Sequence, residues 1–251
     1  MFVKGADLDD SCFVASMVGM SARNPFEARD VKSRRGGKVK EPLSRERIID
    51  EALRLLAREG AEGMSLRKVA AALETGPASL YAYVDDLDSL RALVLDRALA
   101  AVETRPATRK DWKAALKFVL TSYTQVLMGT PGLAGLGLTS IAVGPNSLRI
   151  IEAMLDALAK GGVDRTSAAW AVDLLLLYAT AISAQHGGRP DEVARTLNPV
   201  KKAVFDVSRE EFPRIHAARA ELLSGEGGQR FSWALDTLLA GVLRNAKADE
   251  P

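Results

Sequence analysis

Leu66, Val69, Ala70 and Leu73 recur at i, i+3, i+4 and i+7, one face of an α-helix of about two turns. Ser65 stands before the run as an N-cap, and Gly76-Pro77 breaks the chain just after it. A helix this short is marginal alone, so it has to be one of a set. Its neighbours supply the set. Upstream, Ser44 caps a run in which Ile48, Ile49, Ala52, Leu53, Leu55 and Leu56 share a face; Gly60 stops it, and Gly63 lies in the link that follows. Downstream, Pro77 suits the first position of a third helix reaching about Val84. Asp85 or Asp86 then caps a fourth helix, which continues to about Glu103 and ends before Pro106.

Three short helices, the last two joined by a tight glycine-containing turn, describe a helix-turn-helix unit. The first two make a small core that holds the third proud of the surface, where it fits a major groove about 12 Å wide. Groove-facing positions must then be small, polar or aromatic. In TGPASLYAYV (75–84), Thr75-Gly76 make the turn, Leu80 and Val84 face inward, and Ala78, Ser79, Ala82 and Tyr83 can face out. The stretch holds no basic residue.

The remainder predicts helices near 110–128, 131–139, 145–160, 165–186, 199–221 and 229–246, separated by GTPG, VGPN, KGGVD, the GGRPDE region and SGEGG. No stretch alternates like a strand bounded by hairpin turns. The expected fold is all-α: a three-helix helix-turn-helix domain over 43–104, with the fourth helix as connector, and a helical-bundle domain over 105–251. Residues 1–42 show no sustained period and are expected to be a disordered extension ending in basic residues. It is either a dispensable tail, with Met17 or Met20 as an internal start, or an arm in which Arg34, Arg35, Lys38 and Lys40 follow DNA phosphates or enter a minor groove.

Composition narrows the chemistry. A net charge of +2 means that affinity for nucleic acid has to come from local clustering. A single cysteine, Cys12, excludes a disulfide framework and fits a reducing cytoplasm. With two histidines, no zinc-ligand spacing and no Glu-x-x-His pair, no metal is expected. GLAGLG (132–137) follows no strand, so no dinucleotide cofactor is expected either, and nothing places a catalytic triad. The apolar run at 171–184 is interrupted by Asp173 and reads as too short for a membrane span, and the acidic start argues against a secretion signal.

The segment LSRERIIDEALRLLAREGAEGMSLRKVAAALETGPASLYAYVDDLDSLRALVLDRAL (43–99) resembles the DNA-binding domain of the tetracycline-repressor (TetR) family of transcriptional regulators. LMGTPGLAGL (127–136), GPNSLRIIEAMLDALAKGGVD (144–164) and FSWALDTLLAGVL (231–243) resemble the rest of that family more loosely. By position, the resemblance implies that Ser65 both caps its helix and bonds a DNA phosphate. Arg67 contacts a base edge or phosphate, Lys68 and Arg45 track the backbone, and Tyr81 and Tyr83 contact phosphates. Ala78, Ser79 and Ala82 form the base-reading face. One departure stands out: Leu87 occupies the place of a usual phosphate-holding lysine, among Asp85, Asp86 and Asp88, although the helix amides there remain open to an anion.

The resemblance further implies a homodimer on double-stranded DNA, with no membrane partner, released from a pseudo-palindromic operator by a small, largely apolar effector. The helices at 165–186 and 229–246 would pair with their symmetry mates through Trp170, Val172, Leu174 to Leu177, Phe231, Leu235, Leu238, Leu239 and Val242. Trp112, Phe118, Tyr123, Met128, Met154, Trp170 and Tyr178 are either ordinary core or the lining of an effector cavity, with His186 as a polar contact. A helical dimer that carries a ligand or docks a partner, with a degenerate DNA-binding head, is the alternative.

Overall fold

The structure is a computed structural model and describes residues 24–27, 42–140, 143–187 and 190–246. Among them are eleven helices and no strand. In chain order these are α1 (Arg45–Gly63), α2 (Leu66–Ala72), α3 (Pro77–Leu80), α4 (Leu87–Leu99), α5 (Trp112–Gly129), α6 (Leu133–Thr139), α7 (Pro145–Lys160), α8 (Arg165–His186), α9 (Pro190–Phe205), α10 (Pro213–Leu222) and α11 (Gly227–Ala246). The fold is all-α, with a helix-turn-helix head and a helical body.

Local chemistry explains the boundaries in the head. Ser44 and Ser65 accept from the amides of Arg47 and Lys68 at 3.2 and 3.3 Å, capping α1 and α2. Gly60, at φ 75° and ψ 179°, breaks α1 and leaves its last three residues as a separate turn. The end of α2 corrects one expectation. Thr75 N bonds Ala70 O at 2.9 Å and Glu74 N bonds Ala71 O at 3.0 Å, the paired bonds of a Schellman cap. Its left-handed residue is Glu74, at φ 51°, whereas Gly76 is extended at φ −80°. The turn assigned to Thr75-Gly76 therefore centres one residue earlier. α3 also stops at Leu80 rather than Val84; Tyr83 N and Val84 N both bond Leu80 O, closing the segment as turns.

In the body, α5, α6, α7 and α8 pack around Leu116, Leu120, Leu127, Leu136, Ile150, Met154, Leu158 and Leu175, all buried. α11 lies against α8, where Tyr178 and Phe231 stack at 5.9 Å. The single helix expected over 199–221 is two: α9 starts at Pro190, in a region read as a separator, and Pro213 opens α10. α8 is long and apolar enough in composition to cross a membrane, contrary to the expectation from Asp173. Here it packs in the bundle through Ala168, Ala171, Leu175 and Ala179.

Head and body share one apolar cluster, from Ile48 through α4 to Leu239. The joint is polar at two points. Asp96 on α4 is 4% exposed and its carboxyl caps the start of α7, accepting from Ser147 N at 3.0 Å, Ser147 Oγ at 3.1 Å and Asn146 Nδ2 at 2.9 Å. Arg149 returns the bond, donating to the carbonyls of Leu99 and Val102 at 3.3 and 2.9 Å, where α4 ends. A second contact comes from Gly132 (φ 81°), where a Cβ would stand 3.0 Å from Leu56 Cδ1 and 3.1 Å from Gly60 Cα.

Within the stretch expected as an extension, residues 24–27 are described. Asn24–Glu27 form a turn, with Pro25 buried and Phe26 packed on the core. Cys12, Arg34, Arg35, Lys38 and Lys40 lie outside the described residues.

Candidate nucleic-acid interface

The outward face of α2, α3 and the turns that follow presents Arg67, Ala78, Ser79, Tyr81 and Ala82, all exposed. Leu80 and Val84, at 0% and 1% exposure, hold this face against the core of α1 and α2. Ser65, half-buried, caps α2 as expected. Arg67 makes no hydrogen bond or ion pair within the described residues and its guanidinium faces solvent. Lys68 does not stand free: its Nζ lies 2.7 Å from Glu59, which Arg58 also binds at 2.7 Å. Those bonds, Lys68 foremost, hold the Glu59 carboxyl below the usual carboxylate range. Arg45 turns inward, donating from Nη1 to the carbonyl of Glu27 at 2.8 Å.

The two tyrosines do not share a role. Tyr83 packs half-buried against the core and donates its hydroxyl proton to the carbonyl of Leu43 at 2.7 Å. A phenol has one proton, and a phosphate oxygen can only accept. Tyr83 thus links the recognition segment to the start of α1. Tyr81 is 54% exposed and its hydroxyl bonds nothing among the described residues.

At the start of α4, Asp86 caps the helix as expected, accepting from Ser89 N at 2.7 Å, and Asp88 pairs with Arg91 at 2.9 Å. The helix terminus therefore carries its own carboxylate, which takes one of the free amides and repels an incoming anion.

The aromatic and polar set proposed for an effector cavity is scattered. Trp112 lies beneath Gly161, where a Cβ would meet its indole at 2.5 Å. Phe118 sits at the surface under the Arg105 guanidinium, 5.1 Å from its centroid. Trp170 points outward, 72% exposed. Tyr178 is engaged with Phe231, Met128 sits half-buried against Gly187, and the exposed His186 ring shares a hydrogen bond with Ile182 O at 3.0 Å. Trp112, Tyr123 and Met154 are the members buried in the core.

Around Tyr123 is a polar group that the sequence reading missed. Its hydroxyl pairs with Thr180 Oγ1 at 2.8 Å, and burial pushes the phenol upward in pKa. Thr124 Oγ1 is buried with no partner, and Ser183 Oγ bonds Ala179 O at 2.7 Å. Hydroxyls spaced three apart in an apolar helix, as in Thr180 and Ser183, were the available signal.

The outer face of α8 and α11 is apolar and uncovered. Trp170, Leu177 and Trp233 are 72%, 57% and 71% exposed, and Trp170, Leu174, Leu238 and Val242 line a groove of roughly 340 Å³ between the helices. Val172, Leu175, Leu235 and Leu239, assigned to the same face from sequence, are buried within the chain instead.

Residues 48–86 match the model for bacterial regulatory proteins of the tetR family, and residues 105–245 match that for the tetracyclin repressor-like C-terminal domain. The chain belongs to the tetR family. An HTH-type transcriptional regulator of Saccharopolyspora erythraea is 30% identical over 128 residues, 51% of this chain and 54% of its own. The match thus spans about half the length of that relative. An HTH-type transcriptional repressor of Streptomyces coeruleorubidus is 27% identical over 215 residues, 81% of this chain and 78% of its own. Among solved tetR-family structures, ActR from Streptomyces coelicolor superposes with a TM-score of 0.74 at 29% identity, covering 84% of this chain and 99% of ActR. ActR has also been solved in complex with actinorhodin and with (S)-DNPA.

Proposed function

We propose that this tetR-family chain is a cytoplasmic, homodimeric transcriptional repressor, released from a pseudo-palindromic operator by a small, largely apolar effector. The observation that carries the reading is the exposed face of small residues at Ala78, Ser79 and Ala82, flanked by Tyr81 and Arg67 and anchored by Leu80 and Val84. Such a face enters a major groove without stranding large apolar groups in water. The repressor relative and the small-molecule complexes of ActR support the regulatory half of the reading. Pairing through Trp170, Leu177 and Trp233 would set two heads about 34–36 Å apart, or a multiple of it. An effector that reached the unpartnered Thr124 hydroxyl would have to offer it a polar group. To move occupancy from nearly full to nearly empty it must favour the released form by about 5.5 kcal/mol. Selection from genomic fragments, followed by sequencing, tests the assignment: an enriched palindrome is expected, and its absence would sink the reading.

Direct base readout is thin on this face, limited to methyl contacts and the Ser79 hydroxyl, so specificity rests on Arg67 and DNA shape. The tyrosines separate cleanly by mutation. Tyr81→Phe is expected to weaken operator binding several-fold at unchanged Tm. Tyr83→Phe is expected to lower Tm, costing about 1 kcal/mol of stability, and to shift operator affinity about threefold as the head loosens. Fluorescence anisotropy and thermal melts on both variants check the pair.

The carboxyl-bearing edge at Asp85, Asp86 and Asp88 favours one other reading, a ligand-carrying dimer with a head that no longer grips DNA. Leu87→Lys distinguishes them. In a working head it should raise operator affinity and steepen the dependence of log K on log salt by about 1 unit, whereas a degenerate head gains nothing specific.

A further inference from the structure

We propose that Asn24–Glu27 is a strap fastening the head to the body, and that it sets the angle at which the recognition segment is held. The coupling to DNA rests on the function proposed above; the strap itself does not.

The segment shapes itself. Asn24 accepts from Phe26 N through Oδ1 at 2.9 Å and from Glu27 N through its carbonyl at 3.2 Å, and Pro25 fixes its own φ. A preformed turn loses little entropy on docking. Its two ends then reach different parts of the molecule. Phe26 lies at the start of α7, so close that a Cβ on Gly144 would overlap both its ring and the Asp96 carboxyl. Glu27 offers its carbonyl to Arg45 Nη1 on the first turn of α1. Two residues before Arg45, the carbonyl of Leu43 receives the Tyr83 hydroxyl. A continuous physical line therefore runs from the recognition segment through Tyr83, Leu43, Arg45, Glu27 and Phe26 to the joint of α4 with α7. It bypasses α4, the covalent connector. Any displacement of α7 relative to α4 must move the Phe26 seat and the Asp96 cap together, and the strap carries that movement to the amino end of α1.

Hydrogen exchange on the full-length chain tests this without DNA. Phe26→Ala is expected to speed exchange at Tyr83 and Val84 and at Ser147 and Leu148 by roughly tenfold, the ratio 1.4 kcal/mol produces. Leu120 and Leu175 in the body should stay at wild-type rates, and Phe26→Leu should recover part of the protection. Acceleration at neither end, at α7 alone, or uniformly through the chain overturns the strap, the last because a merely structural residue would act in that way. With the enriched palindrome as probe, Phe26→Ala should shift affinity at least threefold, the change that about 0.65 kcal/mol produces; an unchanged affinity overturns its role in setting the head. If wild type enriches no palindrome, the regulatory function fails, and the exchange result still decides the strap.

Discussion

Trp170→Asp combined with Trp233→Asp is expected to give a folded monomer whose operator affinity falls by two orders of magnitude or more. Both indoles are about seven-tenths exposed in the single chain, so neither contributes to its core. Changes at such positions cost a lone chain little, typically within about 0.5 kcal/mol. In a dimer that closes over the α8–α11 face, the same positions would place carboxylates in an apolar interface with no partner, a far larger penalty. Losing the second head removes the intramolecular advantage of two linked half-sites, which ranges over roughly 10²–10⁴. Sedimentation and anisotropy on the same sample check the claim, with circular dichroism confirming the fold. A variant that stays dimeric and binds like wild type would place the two-fold surface elsewhere.

Asp96→Ala is expected to cost about 3 kcal/mol of stability, with Tm falling by roughly 6–12 °C for a chain of this size. The carboxyl is the buried acceptor for Ser147 N, Ser147 Oγ and Asn146 Nδ2, and its removal orphans those donors where α4 meets α7. An orphaned buried donor costs its desolvation in full, whereas deleting a satisfied pair together costs little. Asp96→Asn keeps an acceptor for Ser147 but turns an amide toward Asn146, and should fall between. Gly144→Ala attacks the same point sterically, because its methyl group would overlap Asp96 and Phe26. Differential scanning calorimetry on the three variants orders them.

What could be read from sequence was what is decided locally. Ser44, Ser65 and Asp86 cap their helices because the capping bond reaches only to the third residue beyond. The apolar period likewise placed Leu80 and Val84 inward. Where the period ran out, so did the reading. A third helix running to Val84 would carry both Tyr81 and Tyr83; α3 stops at Leu80, and the turns that follow aim one ring outward and the other at Leu43. Glycine drew the turn to Gly76, although the left-handed residue is Glu74. The aromatic set is legible only in part, for a different reason. An aromatic residue carries no mark of which face it occupies, so Trp170 and Tyr123 looked equivalent while one faces solvent and the other the core. Asp96, lone and acidic within LVLDRAL, offered a usable signal, since a carboxyl in an apolar run has to find donors from elsewhere in the fold.

α4 has apolar side chains buried on nearly every side: Leu90, Leu93, Val94, Leu95 and Leu99 are all within the shared cluster. It cannot be assigned to one half without stripping the other. A chimaera that exchanges DNA-reading modules between relatives at a boundary on either flank of this helix would leave a hydrophobic seam unmatched. Compatible recombinants would have to carry α4 with the surfaces of both neighbours, so new operator preferences are more easily acquired by substitution on α2 and α3 than by wholesale replacement of the head.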